Sequence, residues 1–412
     1  MNNNELKYFV ISKLFMIDEE TVESLYVYLD ESMLINNYED IYAIFHNILF
    51  VSQLKSESIK YLANLVKLIY NKWTVRKEEF MEIFEQIFHR FSFRKNYLSN
   101  IKLIYYLYID GVITLDFMIP KLNDIFYAPY KLTRSTVDEK SVSPLYITCF
   151  LSYFGPILEK KSYETFIKYN NSLSTLNAPQ CYHANNIEFY YLLEYEKLKE
   201  ENWEIWKLKF DNKDNPYDIY DAIRNDNLTE FQSFACIDGF DMNMTENPSI
   251  FDSSIFINRN DILRPSLLQL AAFYNSINCF KYLLECKANI NYLDFGGRDI
   301  SHYAVAGGNF EIIRIIERMN PELKIIDLIE IAIQFHHLHI FNWLYNLLAV
   351  SQDNDNFEII KSCLINTAAY SNNLYVIKFL LEKGVDVNAK DYLGVYFSFI
   401  GHLYIMQLKM VT

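Results

Sequence analysis

Apolar residues in the first 130 positions recur at intervals of three and four, the spacing that collects them on one helix face. The recurrence is clearest over 22–29, 41–51, 59–69, 80–88, 101–109 and 115–126, which read as consecutive helices. Short polar breaks separate them. Asn36-Asn37, Ser56-Glu57-Ser58 and Thr74 are residue types whose side chains can accept hydrogen bonds from the open N–H groups of a helix start. One helix per roughly 19 residues is the rhythm of an α-solenoid, although no sharp repeat accompanies it. A polar stretch over 131–143 reads as a loop, and 144–154 and 163–169 read as a further helix pair. After a second irregular stretch over 170–186, residues 187–210 read as one long charged helix or two joined ones. Trp203 and Trp206 lie three apart on it, and the expectation is that they anchor it onto the stack of repeats that follows.

Beyond residue 260 the period shortens and repeats. Ala271 is followed at fixed offsets by Cys279, Phe280, Leu283 and Leu284. Ala304 is followed by Ile312, Ile313, Ile315 and Ile316, and the two alanines are 33 residues apart. Each copy opens on a short polar residue, Ser266 or Asp299, fit to cap a first helix. Each first helix closes on a type that tolerates left-handed backbone: Asn275, Gly308 and, in a later copy, Asn372. The second helix is short with one apolar face, which a single unit cannot bury; stacked neighbours can.

Residue by residue this resembles the ankyrin repeat. Ser266-Leu267-Leu268-Gln269-Leu270-Ala271-Ala272 stands where that family has T-P-L-H-x-A-A, and Lys287-Ala288-Asn289-Ile290-Asn291 where it has G-A-D-V-N. Asp294, Gly297 and His302 fall at the D, G and H of the next copy, and 382–388 ends another. The family proline is Leu267 and Ile300 here, and its histidine is Gln269 and Asn366, so those copies are expected to lose a turn-stabilising hydrogen bond and to be looser. Weaker copies are aligned on Ala222, Ala332 and Ala368, with an enlarged loop over 238–261 that its Asn, Asp and Ser content predicts to be mobile. A sixth copy begins at 391, and the pattern is lost over 395–412; truncation, a reading-frame change and a divergent cap all fit that loss. The run from Trp203 resembles the opening of the array in large ankyrin families of unicellular eukaryotes, where a domain of unknown function accompanies it.

The expected architecture is all-α: an N-terminal helical, solenoid-like domain over 1–200, then a C-terminal ankyrin-repeat stack. A degenerate first repeat and long loop over 201–260 lead into repeats over 261–394 and a divergent or truncated tail over 395–412. Composition agrees. The chain is 51% hydrophobic and 22% charged, enough to bury a core, and has only 10 Gly and 9 Pro, which suits helices rather than many tight turns. The 17% aromatic content fills such a core or, on the N-terminal helices, lines a partner groove. A net charge of −14 argues against a nucleic-acid partner or an acidic membrane surface. Six scattered cysteines without C-x-x-C read as reduced thiols, hence a cytoplasmic location with the nucleus left open. The start lacks the basic and apolar regions of a signal peptide, and no apolar run approaches ~20 residues.

Candidate chemistry is sparse. Gly296-Gly297 and Gly307-Gly308 sit where the repeat needs turns and helix ends, not in a phosphate loop. His336-His337-Leu338-His339 is either a surface turn or a metal site, and adjacent histidines rarely converge on one point. His302 reads as the repeat's structural histidine, and Cys181 and His183 belong to no nucleophile motif. The reading is therefore no cofactor, no metal, no catalytic residue and no enzyme, but a scaffold for a protein partner of unknown identity. Ankyrin resemblance implies contacts through the concave face and turn tips: Ile262, Leu263, Phe295, Arg298 and Tyr392 at tips, and Phe273, Tyr274, Gln334, Phe335, Tyr370 and Ser371 on first helices. For Phe273 and Phe335, packing on neighbouring repeats is the competing reading. Two alternatives stand beside the adaptor: an unrecognised enzyme within 1–200, or an inert piece of a longer array.

Overall fold

The structure, a computed structural model, describes residues 3–73, 77–90, 93–126, 144–174, 187–211, 219–245, 249–252, 254, 256–257, 264–319, 323–351 and 354–385. Thr74, Cys181, His183 and the 395–412 tail lie outside them. Among the described residues the fold is all helical, and the one extended pairing is an isolated antiparallel bridge between Thr245 and Ser266. The chain forms two compact units, one of residues 13–215 and 247–264, the other of 1–12, 216–246 and 265–412.

The first ten helices are α1 (Asn3–Leu14), α2 (Val22–Glu31), α3 (Tyr38–Leu54), α4 (Ile59–Lys72), α5 (Lys77–Arg90), α6 (Phe93–Ile109), α7 (Leu115–Phe126), α8 (Pro144–Lys161), α9 (Tyr163–Ser174) and α10 (Ile187–Asp211). Asn37 caps α3 by accepting the Asp40 N–H at 2.9 Å. In α4 the buried positions Ile59, Leu62, Val66 and Ile69 keep the three-and-four spacing, and each such side chain contributes about 1.5–3 kcal/mol when removed from water. The even-numbered helices form a row: α2 packs on α4, α4 on α6, α6 on α8 and α8 on α10. This series is the solenoid-like arrangement that the helix rhythm predicts.

The tryptophans of α10 differ from expectation. Trp206 Nε1 donates to the Ser152 carbonyl at 3.0 Å and Trp203 Nε1 to Glu159 Oε2 at 2.7 Å, so both anchor α10 on α8 within the helical unit rather than on the repeats. Gly155 leaves room for the Trp203 ring, which a Cβ there would strike. Within the single helix α10, Asn202 and Trp203 are left-handed, with φ of 58° and 67°. The whole of α10 belongs to the helical unit.

The repeat unit holds α11 (Ile219–Arg224), α12 (Leu228–Ala235), α13 (Leu267–Phe273), α14 (Ile277–Glu285), α15 (Ile300–Gly307), α16 (Phe310–Met319), α17 (Ile325–Gln334), α18 (Leu338–Ser351), α19 (Asn354–Tyr370) and α20 (Leu374–Glu382). These are five helix pairs. First helices stack in order, α11 on α13, then α15, α17 and α19, and α12, α14 and α16 stack behind them. Ala222, Ala271, Ala304, Ala332 and Ala368 are each 0% exposed, which is what lets first helices approach closely. Four residues past each alanine the backbone turns left-handed: Asp226, Asn275, Gly308, His336 and Asn372 all have φ between 50° and 82°. The five units thus share one backbone signature even where their sequences diverge.

The candidate partner-binding surface of the repeats

The turn between the second and third repeats is built around Asp294, which is 4% exposed. Its Oδ1 accepts the N–H groups of Gly296 and Arg298, each at 2.8 Å, and its Oδ2 accepts the Tyr303 hydroxyl at 2.6 Å. Burial and the Asp294 charge push the Tyr303 phenol up, so it stays a donor. Gly297 supplies the positive φ of 76° that closes the turn. A buried anion thereby fixes a tip whose outer side chain, Phe295, is 65% exposed.

The next repeat starts on a capping box. Asp299 Oδ1 accepts the Ser301 N–H at 2.9 Å, and His302 Nδ1 returns to the Asp299 backbone and carboxylate. Burial works against ionising Asp299, but the His302 contact and the Ser301 and His302 N–H groups outweigh it, so the carboxyl sits below its ordinary range. Ser266 and Gln269 form the same box one repeat earlier. Gln269 also donates from Nε2 to the carbonyls of Tyr292 at 3.2 Å and Arg298 at 3.1 Å. The expected loss of a turn bond at this copy is therefore corrected: an amide reaches as far as an imidazole and tethers the following turn twice. At Asn366 the shorter amide leaves its buried Oδ1 without a hydrogen bond among the described residues.

Neighbouring repeats are also tied at the ends of their first helices. Ser276 Oγ donates to the Ile223 carbonyl, Asn373 Nδ2 to the Ile333 carbonyl at 3.0 Å, and His337 Nε2 pairs with the Ala306 carbonyl at 2.9 Å. His336 Nε2 pairs forward with the Ser371 carbonyl at 2.9 Å. His336 and His337 thus form an inter-repeat junction rather than a surface turn, while His339 is exposed. Burial drives His336 down to about 4; the Ser371 bond works the other way, and His337 adds to the fall. Among the described residues no group of three His, Cys, Asp or Glu side chains could hold a metal ion.

The predicted contact residues fall into three sets. Phe295 at the tip and Tyr370 on α19 are 65% and 64% exposed, and Tyr274, Arg298 and Gln334 are half-buried. Tyr274 lies under the Arg224 guanidinium, 5.5 Å from ring centre to Cζ. Phe273, Phe335 and Ser371 are interior, at 7%, 1% and 0% exposure. The Phe273 and Phe335 rings meet edge to face at 6.1 Å, so packing between repeats, not partner contact, occupies them. The intervening repeat has only Ala306 and Gly307 there, and a Cβ on Gly307 would strike the Ala272 and Phe273 carbonyls. Ile262, Leu263 and Tyr392 lie outside the described residues. Sequence reasoning missed Leu293, 54% exposed two positions before Phe295. Its apolar character just ahead of the tip was the available signal.

A family model described as Ankyrin repeat matches residues 266–295 and 331–392. No curated protein matches the chain. Among solved structures, a crystal structure of the human ASB11 ankyrin repeat domain matches with 15% identity, covering 46% of this chain and 96% of that one at a TM-score of 0.30. The family match falls on Ala271, Ala332 and Ala368, on the Ser266–Gln269 capping box and on the left-handed Asn275, His336 and Asn372; the Ala304 repeat with its Asp299–His302 box lies between the matched segments. The C-terminal region thus carries ankyrin repeats, a module of the kind that mediates protein–protein interaction.

Proposed function

We propose that the protein is a non-enzymatic intracellular adaptor that holds a partner protein on its repeat surface. The observation that carries this reading is the Asp294 turn: a rigid, internally bonded base that presents Phe295 and Leu293 to solvent. An exposed aromatic on a preorganised support gains buried area on binding with few torsions to freeze. Tyr370, and the edges of Tyr274 and Gln334, extend the candidate surface along the first helices. The test is affinity capture from cells of the source organism with the full chain and with Phe295→Ala/Leu293→Ser. The double variant should melt at the wild-type temperature and retain at least about tenfold less of any specifically captured protein, the scale of one hot-spot side chain. Undiminished capture would remove the tip from the interface.

A further inference from the structure

Residues 249–257 belong to the enlarged loop of the first repeat, yet they are part of the helical unit. The described ones, 249–252, 254, 256 and 257, are not helical, and they are held differently from the helices around them. The backbone groups of a helix are consumed inside it, so a helical surface can bond an added segment only through side chains or helix-end carbonyls. Here it does both. Glu194 on α10 accepts the Ser249 hydroxyl at 2.8 Å with one oxygen and the Ile250 N–H at 2.8 Å with the other. Tyr153 on α8 donates to the Ile250 carbonyl at 3.3 Å, and Lys102 on α6 donates to the Phe251 carbonyl at 3.1 Å. The Phe251 N–H is met by Ser249 Oγ at 3.2 Å. Four successive backbone groups are thus satisfied, three of them by side chains from three helices. Downstream, Ser254 Oγ donates to the Leu54 carbonyl at the end of α3 at 2.8 Å.

Side-chain pockets accompany the backbone bonds. Phe251 lies 5.6 Å from the Tyr153 ring and 5.4 Å from the Phe210 ring. Ile250 is 0% exposed, and Phe256 and Ile257 are each 5% exposed. The helices that grip the segment also contact one another directly, α3 with α6, α6 with α8 and α8 with α10, so their row is continuous without it.

We propose that the helical unit is a peptide-recognition module and that residues 249–257 are its occupant in cis, displaceable by a partner's loop of the same chemistry. That chemistry is a hydroxyl, an aliphatic and an aromatic residue in succession, then a carboxylate and, two residues on, a second hydroxyl. Ser249, Ile250, Phe251, Asp252 and Ser254 supply it here. A tethered occupant acts at ~millimolar effective concentration, so a partner must bind tightly or be held nearby to replace it. This site is separate from the repeat tips and does not depend on them.

The test uses the full chain with 249–257 replaced by nine Gly and Ser residues, and a fluorescent synthetic peptide of residues 247–264. The replaced chain should keep its helical circular dichroism and bind the peptide saturably, with wild type binding at least about tenfold more weakly. Ser249→Ala in the peptide should weaken binding roughly tenfold, and that loss should vanish when the chain also carries Glu194→Gln. A replaced chain that unfolds, or that binds a scrambled peptide equally well or no peptide at all, overturns the proposal. Hydrogen exchange on wild type decides independently of any variant. The Ile250 and Phe251 amides should exchange faster than those of α8; exchange in step with α8 would make the segment a fixed part of the core.

Discussion

Two glycines and a histidine show how much single positions decide. Gly307 has no Cβ because the carbonyls of the previous repeat occupy that space, whereas Gly297 faces open space and is needed only for its positive φ. Gly307→Ala should therefore cost about 1–3 kcal/mol, from overpacking against backbone that cannot swing away. Gly297→Ala should cost about 1 kcal/mol, the penalty of left-handed backbone alone; urea unfolding of both variants measures the difference. His336 gives a pH prediction. Its folded pKa of about 4 lies below the ordinary 6.5, so above pH 6.5 it is neutral in both states and its contribution is intact. As pH falls from 6.5 towards 4 the unfolded chain takes up the proton first, and up to about 3 kcal/mol is lost across that window. His336→Asn keeps a residue that tolerates the left-handed backbone, as Asn275 and Asn372 do. It should flatten the fall in stability between pH 6.5 and 4, and an unchanged slope would show that other groups cause it. The helix-end role of Asn275, Gly308 and Asn372 was legible from residue type alone. That of His336 was not, because a histidine carries no such signature and its inward bond depends on Ser371.

Among the elements, α14 is instructive because it does not cap itself. Ser276 stands at its N-cap but makes no capping bond. The cap comes from the previous repeat: Asp226 accepts the N–H of Asn278 at 3.0 Å and of Cys279 at 2.9 Å. The carboxylate also complements the positive end of the helix. Asp226→Ala should destabilise by about 1 kcal/mol. It should also lower the Cys279 thiol from about 12, where burial chiefly and Asp226 next have driven it; burial keeps most of the shift. Urea unfolding reads the first effect and thiol titration of variant and wild type the second, and an unmoved thiol would assign the whole shift to burial. Helix existence and spacing were readable along the chain because each helix carries its own apolar period. Cross-repeat caps were not, since donor and acceptor lie more than fifty residues apart and their meeting depends on how neighbouring repeats stack.

At the scale of the whole molecule, stability in the repeats runs along one dimension, each pair leaning on its neighbours. All seven residues of α13 are buried and seven of the eight in α15 are, whereas α12 buries only Phe231. Hydrogen exchange should consequently be slowest in α13 and α15 and fastest in α12, with α20 between; uniform protection would mean that the unit unfolds as a single block. The sequence by itself determined the all-helical class, the alanine register of the five repeats, the Ser266 and Asp299 caps and the Phe295 tip. Those features are local, written in periods and offsets shorter than one repeat. Only the tertiary structure decided that Phe273 and Phe335 face each other and that α10 belongs with α8. It alone placed Ile250, Phe251 and Ser254 among the N-terminal helices, where Ser254 meets Leu54 across 200 residues of chain. No local pattern encodes such a meeting, because it is fixed by which buried polar group finds its partner once the helices have packed.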